Sequence, residues 1–139
     1  MESPEVILLD TCALLWVVNG DPISSDVLKA LKKGRDTGAI FLSPVSAWEI
    51  GILAQRGKVE LGLPAENYIS RAFTQPGIQI AALTPEIAVR ASYLPGQFHS
   101  DPADRLLLST AILMGLTLVT RDREILRYAG RGHVSALRC

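Results

Sequence analysis

The stretch Val6-Ile7-Leu8-Leu9-Asp10 decides the fold. Its four apolar residues run without a polar break, which is the pattern of a strand covered on both faces, as in a parallel sheet flanked by helices; a one-sided strand would alternate. Asp10 closes the run at the strand's carboxyl end. The rest of the chain supplies the helices and further strands that such a sheet requires. A short helix follows Asp10. Ser24 or Ser25 can cap a helix through about Arg35, with Val27, Leu28 and Leu31 inward, and Gly38 leads into a strand at Ile40-Phe41-Leu42. Pro44 stands just past that strand, Val45 to Gln55 has helical spacing, and Gly57 ends it. A helix from Ala65 to Phe73 precedes a strand from Ile78 to Leu83, and Thr84-Pro85-Glu86 has the form of a helix start running to about Tyr93. After a loop from Leu94 to Ser100, Asp101-Pro102 opens a helix to Met114, stopped by Gly115 before the strand Thr117-Leu118-Val119. Asp122 can cap a last helix to about Tyr128, with a strand near His133 to Ala136. Strands alternate with helices from end to end, so the expected architecture is an α/β three-layer sandwich: a central, mostly parallel sheet of about five strands with helices on both faces.

Composition agrees with this and removes other classes. A chain of 139 residues fits a single domain over 1–139 with a core of its own. Hydrophobic residues are 48% and aromatics 6%, so the interior is built from aliphatic side chains. No apolar run approaches the roughly 18 residues that span a bilayer. Glu2 and Glu5 stand where a signal peptide wants positive charge, and the chain is expected to stay in the cytoplasm without contacting membrane. Cys12 and Cys139 are too far apart in sequence to read as a disulfide framework or a metal-ligand pair, and Cys12 reads as a small buried side chain. Fourteen basic and fourteen acidic residues cancel, which argues against holding nucleic acid by bulk charge. The basic residues do gather locally, at Lys29, Lys32, Lys33 and Arg35, at Arg56 and Lys58, and at Arg121, Arg123, Arg127 and Arg131. Each group is either a solvated face or a contact for an anion.

In open parallel sheets ligands bind beyond the carboxyl ends of the strands. Asp10 directly follows one strand, and Asp122 follows Leu118-Val119 by way of Thr120 and Arg121. Each can also be a helix cap, although next to Asp10 the hydroxyl of Thr11 is a competing cap. Glu49 belongs to an apolar helical stripe with Val45, Trp48, Ile52 and Leu53, where an unpartnered charge is costly; it needs a cation, a metal ion, or a place at the stripe's edge. In His99-Ser100-Asp101-Pro102-Ala103-Asp104-Arg105 two carboxylates lie three residues apart at a helix start, which is good capping chemistry in its own right. Brought together, such carboxylates repel by about 4 kcal/mol per pair near 4 Å at an effective dielectric of about 20, and divalent cations remove that penalty. All-oxygen sites suit Mg²⁺ or Mn²⁺, ions that serve phosphoryl chemistry by activating water and stabilising attacking and leaving oxygens.

Four pieces in this order resemble PIN-domain nucleases, and within them the VapC-type toxins of toxin–antitoxin pairs. They are Leu8-Leu9-Asp10-Thr11, Ser43-Pro44-Val45-Ser46-Ala47-Trp48-Glu49-Ile50, Asp101-Pro102-Ala103-Asp104-Arg105-Leu106-Leu107 and Leu118-Val119-Thr120-Arg121-Asp122. The resemblance implies an endoribonuclease dependent on Mg²⁺ or Mn²⁺, with an acidic quartet falling on Asp10, Glu49, Asp104 and Asp122. Asp101 would be a supporting or capping residue, and Thr11, Ser46 and Thr120 match polar positions that hold metal, water or a neighbouring carboxylate. Arg105 adjoins the third acid, either as an ion pair orienting the carboxylates or as a phosphate contact. The same resemblance implies an RNA substrate, a cognate antitoxin and a homodimer, and the residues Leu14-Leu15-Trp16-Val17 form a cluster rich enough for part of it to meet another chain. His99 reads as a loop residue, and Trp16 and Trp48 as core or interface. A response-regulator receiver domain is disfavoured because Leu42-Ser43 and Ala82-Leu83 offer no phosphoacceptor Asp, and a dehalogenase-like phosphatase because Cys12 stands where its second Asp is needed. A PIN-like scaffold that binds RNA or protein without cutting is the alternative, and it would be favoured by a missing acid; all four are present.

Overall fold

A computed structural model describes residues 6–139; Glu2 and Glu5, on which the leader argument rests, lie outside them. The elements run β1 (Ile7–Leu9), α1 (Thr11–Asn19), α2 (Ser25–Thr37), β2 (Ile40–Leu42), α3 (Pro44–Gln55), α4 (Ala65–Phe73), β3 (Ile78–Ile80), α5 (Pro85–Arg90), α6 (Pro102–Met114), β4 (Thr117–Thr120), α7 (Arg123–Gly130) and β5 (Ala136–Arg138). The five strands form one sheet in the order β3-β2-β1-β4-β5, and every pairing is parallel. The strand read first is therefore the middle one. Ile7 faces Ile40 on one side and Thr117 on the other, and Leu9 faces Val119.

Alternation along the strands sorts the core into two layers. Ile7, Leu9, Ile40, Leu42 and Val119 point to one face, where α1, α2 and α4 supply Leu14, Val27 and Tyr68. Leu8 and Leu118 point to the other, against Leu107 and Leu108 of α6 and Ile125 and Tyr128 of α7. Leu8 and Leu118 are each fully buried, and full burial of a side chain of this size contributes about 1.5–3 kcal/mol. Both faces of β1 are thus dry, which is why its sequence has no polar break.

The helix starts fall where capping residues stand. Ser24, Ser43, Thr84, Asp101 and Asp122 each accept a hydrogen bond from a backbone N–H of the helix they open. Asp10, not Thr11, caps α1. Gly115 takes the left-handed conformation (φ 67°) that ends α6, and its N–H donates to the Ala111 carbonyl.

Three boundaries differ from the sequence reading. The third strand ends at Ile80 instead of Leu83, because Ala81 makes the last ladder bond, donating to the Leu42 carbonyl at 2.8 Å, after which β2 has ended. The helix expected to reach Tyr93 is α-helical only to Arg90 and tightens into a 3-10 turn over Ala91–Tyr93. The last strand lies at Ala136–Arg138, later than His133 to Ala136. Its partner residues on β4 are Leu118, Val119 and Thr120, so the register of a central strand places an edge strand whose own sequence is weakly apolar. Among the described residues no helix is long and apolar enough to cross a membrane.

Candidate active site

Parallel pairing on both sides of β1 carries the ends of β1 and β4 to the same edge of the sheet, where Asp10 N–H donates to the Val119 carbonyl at 3.1 Å. The Asp10 carboxylate is nearly buried, at 7% exposure. Its Oδ1 accepts from the Ala13 N–H at 2.8 Å and its Oδ2 from the Thr120 hydroxyl at 2.5 Å, across 110 residues of sequence. The same Thr120 oxygen accepts from the Asp122 N–H at 3.0 Å. One buried hydroxyl therefore fixes two acids, and Asp122 spends Oδ1 on capping α7 through the Ile125 N–H at 3.0 Å.

Glu49 comes from α3, which starts directly after β2 and leans over the same edge. Its Oε1 accepts from the Thr11 hydroxyl, and Thr11 Oγ1 lies 3.0 Å from the fully buried Ser46 Oγ. A hydroxyl pair is thus its partner, and no Lys or Arg forms an ion pair with it among the described residues. Asp104 sits in the first turn of α6, where its N–H donates to Asp101 Oδ1 at 3.0 Å; its own Oδ2 is 3.6 Å from His99 Nε2. Asp10, Thr11, Glu49, Asp104 and Asp122 line one pocket of about 290 Å³, joined by Cys12, Trp16 and Arg121.

The electrostatics follow from burial and crowding. Burial, opposed by the Thr120 and Ala13 hydrogen bonds and reinforced by the charges of Asp122 and Glu49, raises the Asp10 pKa to about 6. Burial raises Asp104 to about 7, with Asp101, Asp122, Glu49 and Asp10 all pushing the same way. Glu49 is shifted upward by burial, against the Thr11 hydrogen bond and with the charge of Asp101. Arg121, the one arginine at this pocket, is turned aside: its guanidinium lies 3.9 Å from the centroid of the Trp16 ring and donates to the Pro22 carbonyl at 2.7 Å.

These donors fit a hard divalent cation, being carboxylates with hydroxyls behind them. The Cys12 thiol does not change that, since partial desolvation within the pocket and the surrounding carboxylates push its pKa to about 11 and leave it protonated. Among the described residues no three acidic, histidine or cysteine side chains close into one coordination sphere, so the four carboxylates share a pocket without meeting at a point.

Some residues sit elsewhere than expected. Cys12 is exposed in the pocket, not buried in the core, because α1 is capped at Asp10 and its first turn opens onto the site. Arg105 neither pairs with an acid nor faces the pocket: its Nε donates to the Ala91 carbonyl and its Nη1 to those of Phe98 and His99, tying the 91–99 segment to α6. Of the two places expected for Trp48, core or interface, its 57% exposure excludes the core. His99 is a loop residue, as expected, yet it touches Asp104; its position before the Asp101-Pro102 helix start was the available signal. Trp16 and Arg121 at the pocket rim had none beyond the neighbourhood of Asp122.

Residues 7–131 match the family model for the PIN domain. The chain is 29% identical to Ribonuclease VapC22 of Mycobacterium tuberculosis over 120 residues, 86% of this chain and 88% of that one. Among solved structures it is similar to VapBC2 from Rickettsia felis bound to a promoter DNA fragment, with a TM-score of 0.70 and 16% identity, covering 96% of this chain and 98% of the other. DNA-bound VapBC from Salmonella typhimurium gives a TM-score of 0.68 at 14% identity, covering 96% and 97%. With a parallel sheet ordered 3-2-1-4-5, acids gathered at the carboxyl edge of its middle strands and a family match over nearly its whole length, the chain belongs to the PIN-domain family.

Proposed function

We propose that this protein is a metal-dependent endoribonuclease, the toxin of a type II toxin–antitoxin pair, hydrolysing RNA phosphodiesters with Asp10, Glu49, Asp104 and Asp122 holding Mg²⁺ or Mn²⁺. One observation carries the reading: four carboxylates from four separate elements face one pocket, and two of them hold their protons up to about 6 and about 7. A site with that much excess negative charge is stabilised by a cation. When bound, such an ion supplies a Lewis acid that lowers the pKa of water and offsets charge on the phosphate.

The chain's own residues set the geometry around it. Thr120 and the Ala13 N–H hold both oxygens of Asp10, Thr11 and Ser46 steady Glu49, and the Asp101 cap fixes the first turn that presents Asp104. RNA as substrate is supported by the relative named a ribonuclease, and an antitoxin partner by the neighbours named VapBC. The same reading places the protein in the cytoplasm and treats residues 1–139 as a single nuclease domain. Its homodimer rests on the family resemblance, with the exposed Trp48 as apolar surface that a second chain can cover.

The test is cleavage of mixed cellular RNA with Mg²⁺, with Mn²⁺ and with EDTA. Asp10→Asn, Glu49→Gln and Asp104→Asn should each lose more than the roughly 10–100-fold typical of losing an outer partner of a metal ligand, with the fold intact by circular dichroism. Undiminished cleavage by all three variants rejects the site. Inactivity of the folded, metal-loaded parent against diverse RNAs leaves a scaffold that binds without cutting.

A further inference from the structure

A second cleft, of about 700 Å³, adjoins the acidic pocket at His99, which lines it while its Nε2 lies 3.6 Å from Asp104 in the pocket. The 92–99 segment and α7 form its walls. Arg105, Arg127 and Arg131 line it against one carboxylate, Glu124, so three positive groups meet one negative. Arg127 lies in the last turn of α7 and Arg131, four positions on, caps the end of that helix. The Arg127 side chain is 63% exposed and pairs with Glu124 at 2.8 Å. Arg131 donates to the Gln97 carbonyl at 3.0 Å, with its guanidinium 5.6 Å from the Tyr128 ring centroid. From the 92–99 segment Tyr93 enters the same cleft with its residue 59% exposed.

Building on the nuclease reading, we infer that this cleft seats the single-stranded RNA segment flanking the cleaved bond, with Arg127 and Arg131 on phosphates and Tyr93 stacked on a base. A pocket of carboxylates repels a polyanion, and a chain of zero net charge offers no general attraction to offset that. Local cations beside the pocket must supply it. Guanidinium groups along one wall and an exposed ring from the other form the combination that holds single strands, since charge tracks the backbone while a ring takes any unpaired base. A duplex keeps its bases stacked and gives Tyr93 nothing to receive. The basic run Arg121, Arg123, Arg127 and Arg131 thereby divides: Arg121 is folded onto Trp16, and Arg127 and Arg131 line the cleft.

The experiment measures fluorescence anisotropy of a short labelled single-stranded RNA on Asp10→Asn protein with Mg²⁺ over a salt series. Arg127→Gln and Arg131→Gln should each weaken binding about fivefold or more and reduce the log–log salt slope by about 0.7. Tyr93→Ala should weaken it about fivefold with the slope unchanged. Glu124→Gln, which frees Arg127, should tighten binding several-fold, whereas Glu66→Gln on the remote α4 should not. Arg127 is the decisive position, because Glu124 is its side-chain partner and the fold does not depend on that exposed pair. Unchanged affinity and slope in Arg127→Gln overturns the inference, as does duplex RNA bound as tightly as single-stranded RNA. An acidic peptide that needs Arg127 while RNA binding does not makes this a protein-docking cleft and also overturns it. If the parent cuts RNA but the variants bind like the parent, the cleft alone fails; if the parent neither binds nor cuts RNA, the nuclease reading fails with it.

Discussion

Thr120 carries one hydroxyl proton, and the acid on each side of it depends on that oxygen: Asp10 receives the proton and the Asp122 N–H donates to the lone pair. Replacing it by Val keeps the volume and leaves Asp10 Oδ2 buried without a donor, a loss of about 1–3 kcal/mol. If Asp10 holds the metal as proposed, Thr120→Val should also lower cleavage about 10–100-fold at saturating Mg²⁺, the usual effect of removing the group that orients a metal ligand. Chemical denaturation and initial rates read the two effects separately, and cleavage within twofold of the parent removes Thr120 from any positioning role. At this scale the sequence was informative about which acids gather, since Asp10 follows a buried run and Asp104 and Asp122 stand at helix starts. It could not tell where long side chains turn. Arg105 sits one residue from an acid and yet reaches three carbonyls on the other side, because a helical position fixes the Cα and leaves several rotatable bonds open. For Cys12 the error came from residue type: a thiol is a common core side chain, but the cap at Asp10 places it on the helix's open first turn.

Between elements, backbone comes close at the turn into β3. Gly77 has φ 82°, and a Cβ there would lie 2.5 Å from Arg35 Cα and 2.7 Å from its carbonyl oxygen. Gly77→Ala should therefore cost about 3 kcal/mol, combining an unfavourable backbone with overpacking of α2 on the edge strand. Urea denaturation measures it, and a loss below roughly 1 kcal/mol means that α2 slides to make room. Helix starts were the most legible elements, because Ser24, Thr84, Asp101 and Asp122 announce them chemically and Pro44 marks the start of α3. The edge strands β3 and β5 were the least. Ile80 is 58% exposed and Arg138 is exposed, so neither carries a burial pattern, and their limits are set by where the neighbouring strand stops offering hydrogen bonds. The Ala91–Tyr93 turn escaped notice because its residues continue the helical spacing while its backbone tightens.

For the molecule as a whole, the raised carboxyl groups make stability depend on pH, and with the proposed metal site on cation as well. Asp10 and Asp104 bind protons more tightly folded, with pKa values of about 6 and about 7, than at their ordinary value of 3.8. The native state thus holds more protons than the unfolded chain across this window, and stability falls as pH rises from about 4 to about 7. For the nearly buried Asp10 alone the rise corresponds to about 3 kcal/mol. Metal-free protein should melt at a higher temperature at pH 5 than at pH 7.5, and Mg²⁺ should raise the melting point more at pH 7.5, where the carboxylates are free of protons. Scanning calorimetry with EDTA and with Mg²⁺ tests this; a Mg²⁺ effect equal at both pH values means that the ion binds elsewhere. The strand order has a further consequence for biosynthesis. β4 lies between β1 and β5 and brings Thr120 and Asp122 to Asp10 only after the segments carrying Asp10, Glu49 and Asp104 have been made. An elongating chain already carries Asp10, Glu49 and Asp104, but the central seam beside β1 stays open until Thr117–Thr120 leaves the ribosome and inserts. Translation thus delivers the acids of the pocket one after another, and the buried carboxylate of Asp10 waits for its Thr120 partner until the β4 segment has been made.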